Sequence, residues 1–473
     1  MTVLDEIRAR SRERPEHAAL CTDRGGRSDV VSYAELVRRF EAGAARLSEA
    51  GLARGERVGL VARQGPDFVE AALAILEAGG CVAPLPGDET PASRVRTVAR
   101  AQLHALVLED EGFGLRRVEP AFDARAEPVP EQAFRALDPA YLRFTSGTTN
   151  ERKGVVLSHA RIAERLEGAN QALGIGPEDR ILWLLPMAHH FVVSILLYLR
   201  FGATVLLPES SLARPVLELA GRERASVLYA APYHFRLLAA DTSGLGLDLR
   251  LAISTAEGLP PDVAQAFRQR FAMPVGQALG IIEVGLPVVN LAESETKPLA
   301  LGRPLPAYEV WLRDESGAPL VGAGSPERTG EICIRGPGLF DAYLAPWTPS
   351  AALLEPDGFR TGDQGWFDAD GTLFLAGRRH NRINMAGMKF FCEEVEEVLV
   401  AQPGVRECRV FGREHARLGE IPVAQVVAED AARPPRKGVL LSACREALAA
   451  YKVPRQLEFV EALEKTATGK LKR

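Results

Sequence analysis

The sequence has no hydrophobic run long enough to cross a membrane. Its longest apolar-rich stretch, at 191–199, ends at Arg200 and resumes only at 204–207. A spanning helix needs about 20 consecutive apolar residues. The first eight residues also lack the apolar segment of a secretory signal. We therefore predict no membrane association, and we interpret the stretch as a buried helix followed by a buried strand.

Closely spaced cysteines are also absent. The six cysteines are dispersed, and no two of them have the C-x-x-C spacing. The pattern therefore indicates neither a disulfide framework nor a cysteine metal site. We expect buried structural thiols and a reducing, cytoplasmic compartment.

An excess of positive charge is missing as well. The formal net charge is −5 at pH 7, and no long basic tail is present. This gives no electrostatic reason to expect a nucleic-acid partner. The chain of 473 residues, 47% hydrophobic and 25% charged, has the composition of an ordinary globular protein with room for two or three domains.

The most informative feature is a loop between two apolar segments, at 145–153. It combines four hydroxyl residues with Gly147, and it ends in Lys153 before Gly154. Small side chains let backbone N–H groups approach phosphate oxygens, and a lysine adds positive charge. The spacing does not match the G-x-x-x-x-G-K-[ST] pattern of P-loop nucleotide-binding proteins. We favour a polyphosphate-binding loop over the alternative, a Ser/Thr-rich surface turn.

Up to about residue 376 the sequence alternates between helical and strand patterns. Helices are predicted at 33–52, 67–78, 215–222 and 260–271, and strands at 57–62, 80–84, 180–185, 204–207 and 249–254. Such alternation favours an α/β fold of layered, largely parallel sheets.

The segment 309–377 has a different pattern, with short strands joined by Gly-rich and Asp-Gly turns. We predict a large N-terminal domain of layered sheets and helices over 1–377, of which 309–377 is a β-rich part. A hinge at 378–382 and a small, mobile α+β domain over 383–473 complete the prediction.

Five further clusters accompany the loop. In chain order they are Leu279-Gly280-Ile281-Ile282-Glu283, Gly330-Glu331-Ile332 leading to Tyr343, Phe359-Arg360-Thr361-Gly362-Asp363, Gly377-Arg378 leading to Gly387, and Thr466-Ala467-Thr468-Gly469-Lys470. Together and in this order they resemble the core motifs of the adenylate-forming (AMP-binding) superfamily. That family comprises acyl- and aryl-CoA synthetases, adenylation domains of peptide synthetases and luciferases. The resemblance extends over nearly the whole chain.

The resemblance implies a two-step reaction. A carboxylate attacks the α-phosphate of ATP to give an acyl-adenylate and pyrophosphate, and a thiol then displaces AMP to give a thioester. Two lysines and one carboxylate would act in catalysis: Lys153, Lys470 and Glu283. Lys470 would bridge the reacting carboxylate and the α-phosphate, where a cation stabilises developing charge; alone, it is equally well explained as part of a solvated basic tail.

The resemblance also implies a set of nucleotide-binding residues. Asp363 would accept hydrogen bonds from both ribose hydroxyls, although it fits a simple turn residue too, and Arg378 would lie near the ribose. Glu283 would act through Mg²⁺ on triphosphate oxygens. The remaining implied contacts are Thr145, Ser146, Gly147, Thr148, Thr149, Lys153, Ala256, Glu257, Leu279, Gly280, Ile282 and Lys470.

Four residues depart from the family pattern. Asn150 and Arg152 replace the usual Gly and Pro of the loop. Leu279 replaces an aromatic residue that stacks on adenine, and Ile282 replaces a threonine that reaches the α-phosphate. Loss of that hydroxyl would weaken nucleotide contacts by ~1–3 kcal/mol. A catalytically degenerate, nucleotide-binding member is therefore kept as an alternative.

The segment 186–191 resembles the family's acid-binding segment. The following residues, 192–196, offer no Asp to hold an ammonium group. This disfavours an α-amino acid, so we expect an acyl or aryl carboxylic acid. His189 either contacts the carboxylate, shapes the pocket or is merely packed. The predicted pocket is mostly apolar and comprises His189, Phe191, Val192, Tyr233, Thr255, Leu279, Ile282 and Leu286.

The acceptor stays open at this stage. CoA and the phosphopantetheine of a separate carrier protein both present a suitable thiol. A third possibility is an adenylating enzyme whose acceptor is an amine or another nucleophile.

Overall fold

The computed structural model describes residues 2–86, 91–118, 127–144, 154–256, 258–314, 316–325, 328–354, 358–378 and 382–463. They divide into two compact units. The larger takes its described residues from Met1–Pro86, Arg100–Arg143 and Gly154–Arg378, and the smaller takes most of its own from Arg379–Arg473.

Side chains satisfy free backbone N–H groups at the start of three helices. Thr2 and Asp5 form a capping box at the first helix, and Ser32 and Ser158 cap two later ones. The helices are α1 (Val3–Glu13), α2 (Tyr33–Glu49), α3 (Pro66–Glu77), α4 (Pro91–Ala101), α5 (Glu131–Ala136), α6 (His159–Leu173), α7 (Met187–His190), α8 (Leu196–Arg200), α9 (Ala213–Arg222), α10 (Pro232–Ala239), α11 (Pro261–Phe271), α12 (Ala351–Leu354), α13 (Cys392–Val400) and α14 (Lys437–Ala447).

The strands range from two residues to 11 residues in length. They are β1 (Ala18–Arg24), β2 (Arg27–Ser32), β3 (Arg57–Val61), β4 (Cys81–Leu85), β5 (Ala105–Leu108), β6 (Leu115–Arg117), β7 (Pro139–Phe144), β8 (Gly154–Ser158), β9 (Arg180–Trp183), β10 (Thr204–Leu207), β11 (Val227–Ala230), β12 (Leu251–Ser254), β13 (Gly276–Ile281), β14 (Gly285–Val289), β15 (Ala300–Pro304), β16 (Glu309–Arg313), β17 (Gly330–Arg335), β18 (Ala342–Tyr343), β19 (Thr348–Pro349), β20 (Phe359–Phe367), β21 (Leu373–Arg378), β22 (Arg382–Met385), β23 (Met388–Phe391), β24 (Val405–His415), β25 (Gly419–Ala428) and β26 (Gln456–Phe459).

Among the described residues, 13 strands of the larger unit form one sheet, in the order β16-β17-β20-β21-β15-β14-β13-β12-β11-β9-β10-β1-β2. The strands from β1 to β13 pair in parallel, apart from β2 at the edge. From β13 to β16 every pair is antiparallel. Strand β13 is therefore the boundary between the two halves, and the turn that follows it carries Glu283.

A second sheet of the larger unit has the order β19-β18-β8-β7-β4-β3-β5-β6. Strands β3, β4 and β5 pair in parallel, and all residues of β3 are buried. Such near-continuous apolar strands are typical of parallel sheets covered on both faces. Neighbouring β7 and β8 lie on either side of the predicted phosphate-binding loop in the sequence.

The smaller unit has its own sheet, in which β23, β22, β25 and β24 are neighbours and β26 pairs with β25. A separate core fills the space between this sheet and helices α13 and α14, with Val395, Leu399, Leu440 and Cys444 among its buried residues. The unit thus has the hydrophobic core of an independent α+β domain.

The predicted α/β architecture is confirmed. Strand β10 has the predicted bounds, and helix α2 ends three residues before its predicted end at residue 52. The predicted buried helix at 191–199 begins with a π-helical turn, Phe191–Ile195. In the β-rich segment, β18 and β19 join the second sheet rather than the first.

All six cysteines are free and buried, as predicted. Within the described residues, no helix is long and apolar enough to cross a membrane.

Candidate active site

Glu283 lies in the turn between β13 and β14, and only 8% of its surface is exposed. Its backbone carbonyl accepts a hydrogen bond from the Phe340 N–H at 2.8 Å, and its Oε1 accepts one from the Tyr343 hydroxyl at 3.1 Å. Burial raises the pKa of Tyr343, and the adjacent Glu283 carboxylate raises it further. The tyrosine therefore remains a neutral donor that orients a buried carboxylate.

Arg165 on α6 forms hydrogen bonds to the same turn and to a neighbouring segment. Its side chain is 1% exposed, and its guanidinium donates to the Ile282 carbonyl at 2.9 Å and, through two nitrogens, to the Gly338 carbonyl, with Nε at 3.0 Å. Burial lowers the pKa of Arg165 to about 10. Three hydrogen bonds to carbonyl groups compensate part of the cost of burying this cation.

Two neighbours of Arg165 hold the segment 338–343 against α6. Glu164 accepts from the Gly338 N–H at 2.9 Å, and Arg161 lies 3.6 Å from Asp341. Asp341 also accepts from the Ser158 N–H at 2.6 Å, at the start of α6. We call Arg161, Glu164 and Arg165 the α6 clamp. Because Phe340 and Tyr343 contact Glu283, the clamp determines the position of that carboxylate.

The backbone at position 338 lies so close to Arg165 of α6 that only glycine fits there. Gly338 has φ +67°, and a Cβ there would lie 2.6 Å from both the Cβ and the backbone nitrogen of Arg165. Any side chain would therefore displace helix α6 or the segment that it holds.

A second arginine, Arg143, lies near Glu283 at the end of β7. It donates a hydrogen bond to the backbone carbonyl of His189, and the hydroxyl of neighbouring Tyr141 donates to the carbonyl of Ala188 at 3.4 Å. Strand β7 thereby holds helix α7, which carries His189. Burial lowers the pKa of Arg143, and the Glu283 charge opposes that shift.

The predicted acid pocket adjoins a group of aromatic side chains. Trp183 stacks on Tyr229, with ring centroids 5.9 Å apart, and meets Tyr198 and His190 edge-on at about 6 Å. Phe191, which is fully buried, packs edge-on against Phe68 at 5.7 Å. The π-helical turn that contains Phe191 and Val192 is a common feature of functional sites.

The other predicted pocket and nucleotide positions surround the ends of β12 and β13. Thr255 is 3% exposed and donates to the Ala278 carbonyl at 3.4 Å, while Ala256 has a positive φ of 78°. Gly280 is exposed, and a Cβ there would lie 3.6 Å from the Thr255 hydroxyl. The backbone at Gly280 is therefore accessible from solvent.

The remaining side chains of this set differ in burial. Val192, Leu279 and Leu286 are buried, whereas Ile282 and Tyr233 are half-buried, and Tyr233 lies edge-on to His234.

Asp363 occupies a buried position in β20, with 3% of its surface exposed. It lies directly opposite Arg378 of β21 in the strand register. The Thr361 hydroxyl accepts from its backbone N–H at 3.0 Å, and Gly362, with φ +73°, makes the turn between them. A buried carboxylate at such a turn is unusual for a purely structural residue.

Several predicted site residues lie outside the described residues. They are Thr145, Ser146, Gly147, Thr148, Thr149, Lys153, Glu257 and Lys470. The side chain of Arg378 is likewise outside the description, although its backbone belongs to β21. Their roles stay predictions.

The predicted magnesium ligand fits its surroundings. Among the described residues, no group of three or more His, Cys, Asp or Glu side chains could hold a metal ion. Magnesium is commonly bound by one or two carboxylates together with substrate phosphates. The single buried carboxylate of Glu283 fits that mode of binding.

The sequence-based interpretation assigned no role to Arg143, Arg165 or Tyr343. A signal for Arg165 was available, because it lies among buried Ile162, Leu166 and Ala169 on the apolar face of α6. Arg143 lies two residues before the predicted loop, on an otherwise apolar strand. Only the tertiary structure brings both of them close to Glu283.

Comparison with known proteins identifies the family. The AMP-binding enzyme family matches residues 7–344, and the AMP-binding enzyme C-terminal domain matches residues 394–470. A feruloyl-CoA synthase from Amycolatopsis sp is 28% identical over 461 residues, covering 93% of this chain and 92% of the relative. A 2-succinylbenzoate–CoA ligase from Bacillus velezensis is 28% identical over 474 residues, covering 97% and 94%.

Among solved structures, an amide bond synthetase from Marinactinospora thermotolerans has a TM-score of 0.84 at 27% identity, covering 100% of this chain and 98% of that one. Both family matches agree with the order of the motifs along the sequence. The chain therefore belongs to the AMP-binding enzyme family.

Proposed function

We propose that the protein activates a small aryl or acyl carboxylic acid with ATP and transfers the acyl group to CoA. The observation that carries this proposal is the likeness, over more than nine-tenths of both chains, to relatives named as CoA ligases. The buried, well-oriented carboxylate of Glu283 supports it, because a catalytic carboxylate must be held in place before the reactants arrive.

The surroundings of the predicted pocket favour an acid with an apolar or aromatic body. Trp183, Tyr198 and Tyr229 form a buried aromatic group next to the π-helical turn. The segment 186–196 contains no carboxylate that could hold an ammonium group. These features disfavour an α-amino acid and agree with the aryl acids named for the two CoA-ligase relatives.

The proposed roles of individual residues follow the two-step reaction. Glu283 holds the nucleotide end of the site, and Mg²⁺, when bound there, would neutralise charge on the triphosphate oxygens. Thr145–Thr149 and Lys153 hold the leaving pyrophosphate, Asp363 holds the ribose, and Lys470 neutralises the charge that develops between the carboxylate and the α-phosphate. His189 would meet the acid.

We also propose that 1–377 and 383–473 act as separate domains about a hinge at 378–382. In the family, such a hinge lets the small domain rotate between the two half-reactions. A carrier-protein acceptor and a cytoplasmic location are weaker proposals, which rest on the sequence alone.

An acid screen tests the proposal. Carboxylate-dependent ATP–pyrophosphate exchange is measured over aliphatic, aryl and amino acids, including ferulate and 2-succinylbenzoate. We expect exchange with at least one aryl or acyl acid, and AMP release that increases when CoA is added. Tight ATP binding without exchange for any acid would instead indicate the catalytically degenerate alternative.

Two variants separate the half-reactions. Lys470→Ala should abolish exchange but retain thioester formation from a supplied acyl-adenylate. Equal loss of both steps would contradict the role proposed for Lys470. Replacing CoA by a holo-carrier protein in the second step tests the other thiol acceptor.

A second candidate acceptor is an amine. Its support is the structural likeness to an amide bond synthetase. Amide formation upon addition of an amine, at a rate above that of thioester formation with CoA, would favour this function.

A further inference from the structure

We propose that Arg143 binds an anionic oxygen group of a reactant, either the carboxylate of the acid or a phosphate of ATP. The proposal deepens the proposed function and rests on it, because both anions are reactants of acid activation. No motif of the sequence assigned a binding role to this residue.

The hydrogen bonding of Arg143 is incomplete. The side chain is half-buried, and one of its terminal nitrogens donates to the His189 carbonyl. Its Nε is buried and has no hydrogen-bond partner among the described residues. A guanidinium has five N–H donors in a planar fork, so this arginine keeps donors available for a ligand.

The described residues also offer the charge of Arg143 no ion-pair partner. Within the described part of the chain it forms no ion pair, although Glu283 interacts with it electrostatically. Two other buried arginines have carboxylate partners: Arg57 lies 2.6 Å from Glu131, and Arg200 lies 2.7 Å from Glu6. A third, Arg165, directs three hydrogen bonds to backbone carbonyls instead. A cation in a dense environment without an anion is costly, and a bound anion would remove that cost.

The location of Arg143 indicates where the anion comes from. The strand that carries it leads directly into the predicted phosphate-binding loop, and its hydrogen bond reaches the segment predicted to line the acid pocket. Glu283, the predicted magnesium ligand, is close enough to affect its charge. The guanidinium therefore lies where acid and triphosphate are expected to meet.

The position of Arg143 also suits a second role. Ile282 replaces the threonine whose hydroxyl usually reaches the α-phosphate, so that hydrogen-bond donor is missing here. An arginine can donate two parallel hydrogen bonds to a carboxylate or a phosphate. Arg143 would thereby supply the donor that Ile282 lacks.

The test compares three variants with the wild-type protein. Arg143→Met removes the charge and keeps the bulk, and Arg143→Lys keeps the charge without the planar fork. Arg270→Met is the matched control, because Arg270 is also half-buried and its hydrogen bonds to described residues go to two backbone carbonyls, those of Asp241 and Leu245. Circular dichroism and thermal unfolding establish that each variant is folded.

Binding of MgATP is measured by calorimetry, and binding of the best acid from the exchange screen is measured separately. Loss of a charge-assisted hydrogen bond should weaken one of the two ligands by about 10- to 100-fold in Arg143→Met. Arg143→Lys should recover part of this loss, and Arg270→Met should bind both ligands like the wild type. Weakened MgATP binding identifies the anion as a phosphate, and weakened acid binding identifies it as the carboxylate.

Unchanged affinity for both ligands in a folded Arg143→Met variant would overturn the proposal. That result differs from failure of the proposed function, in which the wild-type protein itself shows no acid-dependent exchange. A loss of equal size in Arg270→Met would also overturn it, because the effect would then be a general consequence of removing an arginine.

Discussion

Two arginines approach Glu283 from different elements, and they differ in how completely their donors are used. Arg165 in the α6 clamp makes three hydrogen bonds to two backbone carbonyls. Arg143 at the end of β7 makes one, and its Nε lacks a partner among the described residues. A guanidinium with satisfied donors stabilises the fold, whereas one with unused donors beside a predicted site is available for a ligand.

The largest effect should follow from Arg165→Met. The substitution leaves the buried carbonyl of Gly338 and the partly buried carbonyl of Ile282 without their donors, so the free energy of unfolding should fall by ~3–5 kcal/mol. Urea denaturation followed by circular dichroism measures the change. Arg165→Lys, which keeps the charge but not the fork, should lose less. A loss below ~1 kcal/mol in Arg165→Met would show that the clamp does not stabilise this region.

Gly338→Ala tests the other side of the clamp. The new Cβ would lie 2.6 Å from the backbone nitrogen of Arg165, at a residue with φ +67°, so we expect a loss of ~2–4 kcal/mol from overpacking and backbone strain. Gly221→Ala is the control, because Gly221 lies within α9 and a Cβ there meets nothing within 4 Å. The control should gain ~0.5–1 kcal/mol. Equal thermal stability of the two variants would contradict the close packing at Gly338.

Tyr343→Phe removes the hydroxyl that orients Glu283. A hydrogen bond to a charged group contributes ~1.5–3 kcal/mol, so kcat/KM for adenylation should fall by about 10-fold or more. Tyr308→Phe is the matched control, since the buried Tyr308 hydroxyl has no partner among the described residues. The control should keep full activity. Equal activity of Tyr343→Phe and the wild type would show that the hydrogen bond from Tyr343 to Glu283 does not contribute to catalysis.

The smallest effect, with the opposite sign, is expected for Arg143→Met without ligands. Removing a cation that lacks an anion should raise the free energy of unfolding by ~1–2 kcal/mol. Arg270→Met should lower it instead, because Arg270 loses two carbonyl hydrogen bonds and its contact with the Phe271 ring, whose centroid lies 4.6 Å away. Destabilisation by Arg143→Met would assign Arg143 a structural role like that of Arg165.

Much of the fold could be predicted from the sequence. Strands such as Thr204–Leu207 and helices such as Pro261–Phe271 have local apolar patterns with clear Gly or Pro boundaries. The π-helical turn at Phe191–Ile195 was not predictable, because its sequence differs little from that of a buried α-helix. The sequence also did not predict that β18 and β19 belong to the second sheet. Strand β18 pairs there with β8, which is far away in the sequence, and local patterns do not specify such a partner.

The residues of the candidate site also fall into those that the sequence could predict and those that it could not. Glu283 and Asp363 could be predicted as site residues because each belongs to a recognisable local motif, and both are buried in the structure. Arg165 was missed because its partners, Ile282 and Gly338, are 117 and 173 residues away in the chain. Local periodicity carries no information about such contacts.

The sequence by itself determined the family and the order of elements, because these depend on ordered motifs and on the alternation of apolar residues. It also identified the loop at 145–153 as the predicted phosphate-binding segment. Only the tertiary structure decided that two arginines from β7 and α6 lie near Glu283, and which of them has its donors satisfied. That distinction depends on contacts between residues far apart in the chain, which form only when the sheets and helices pack together.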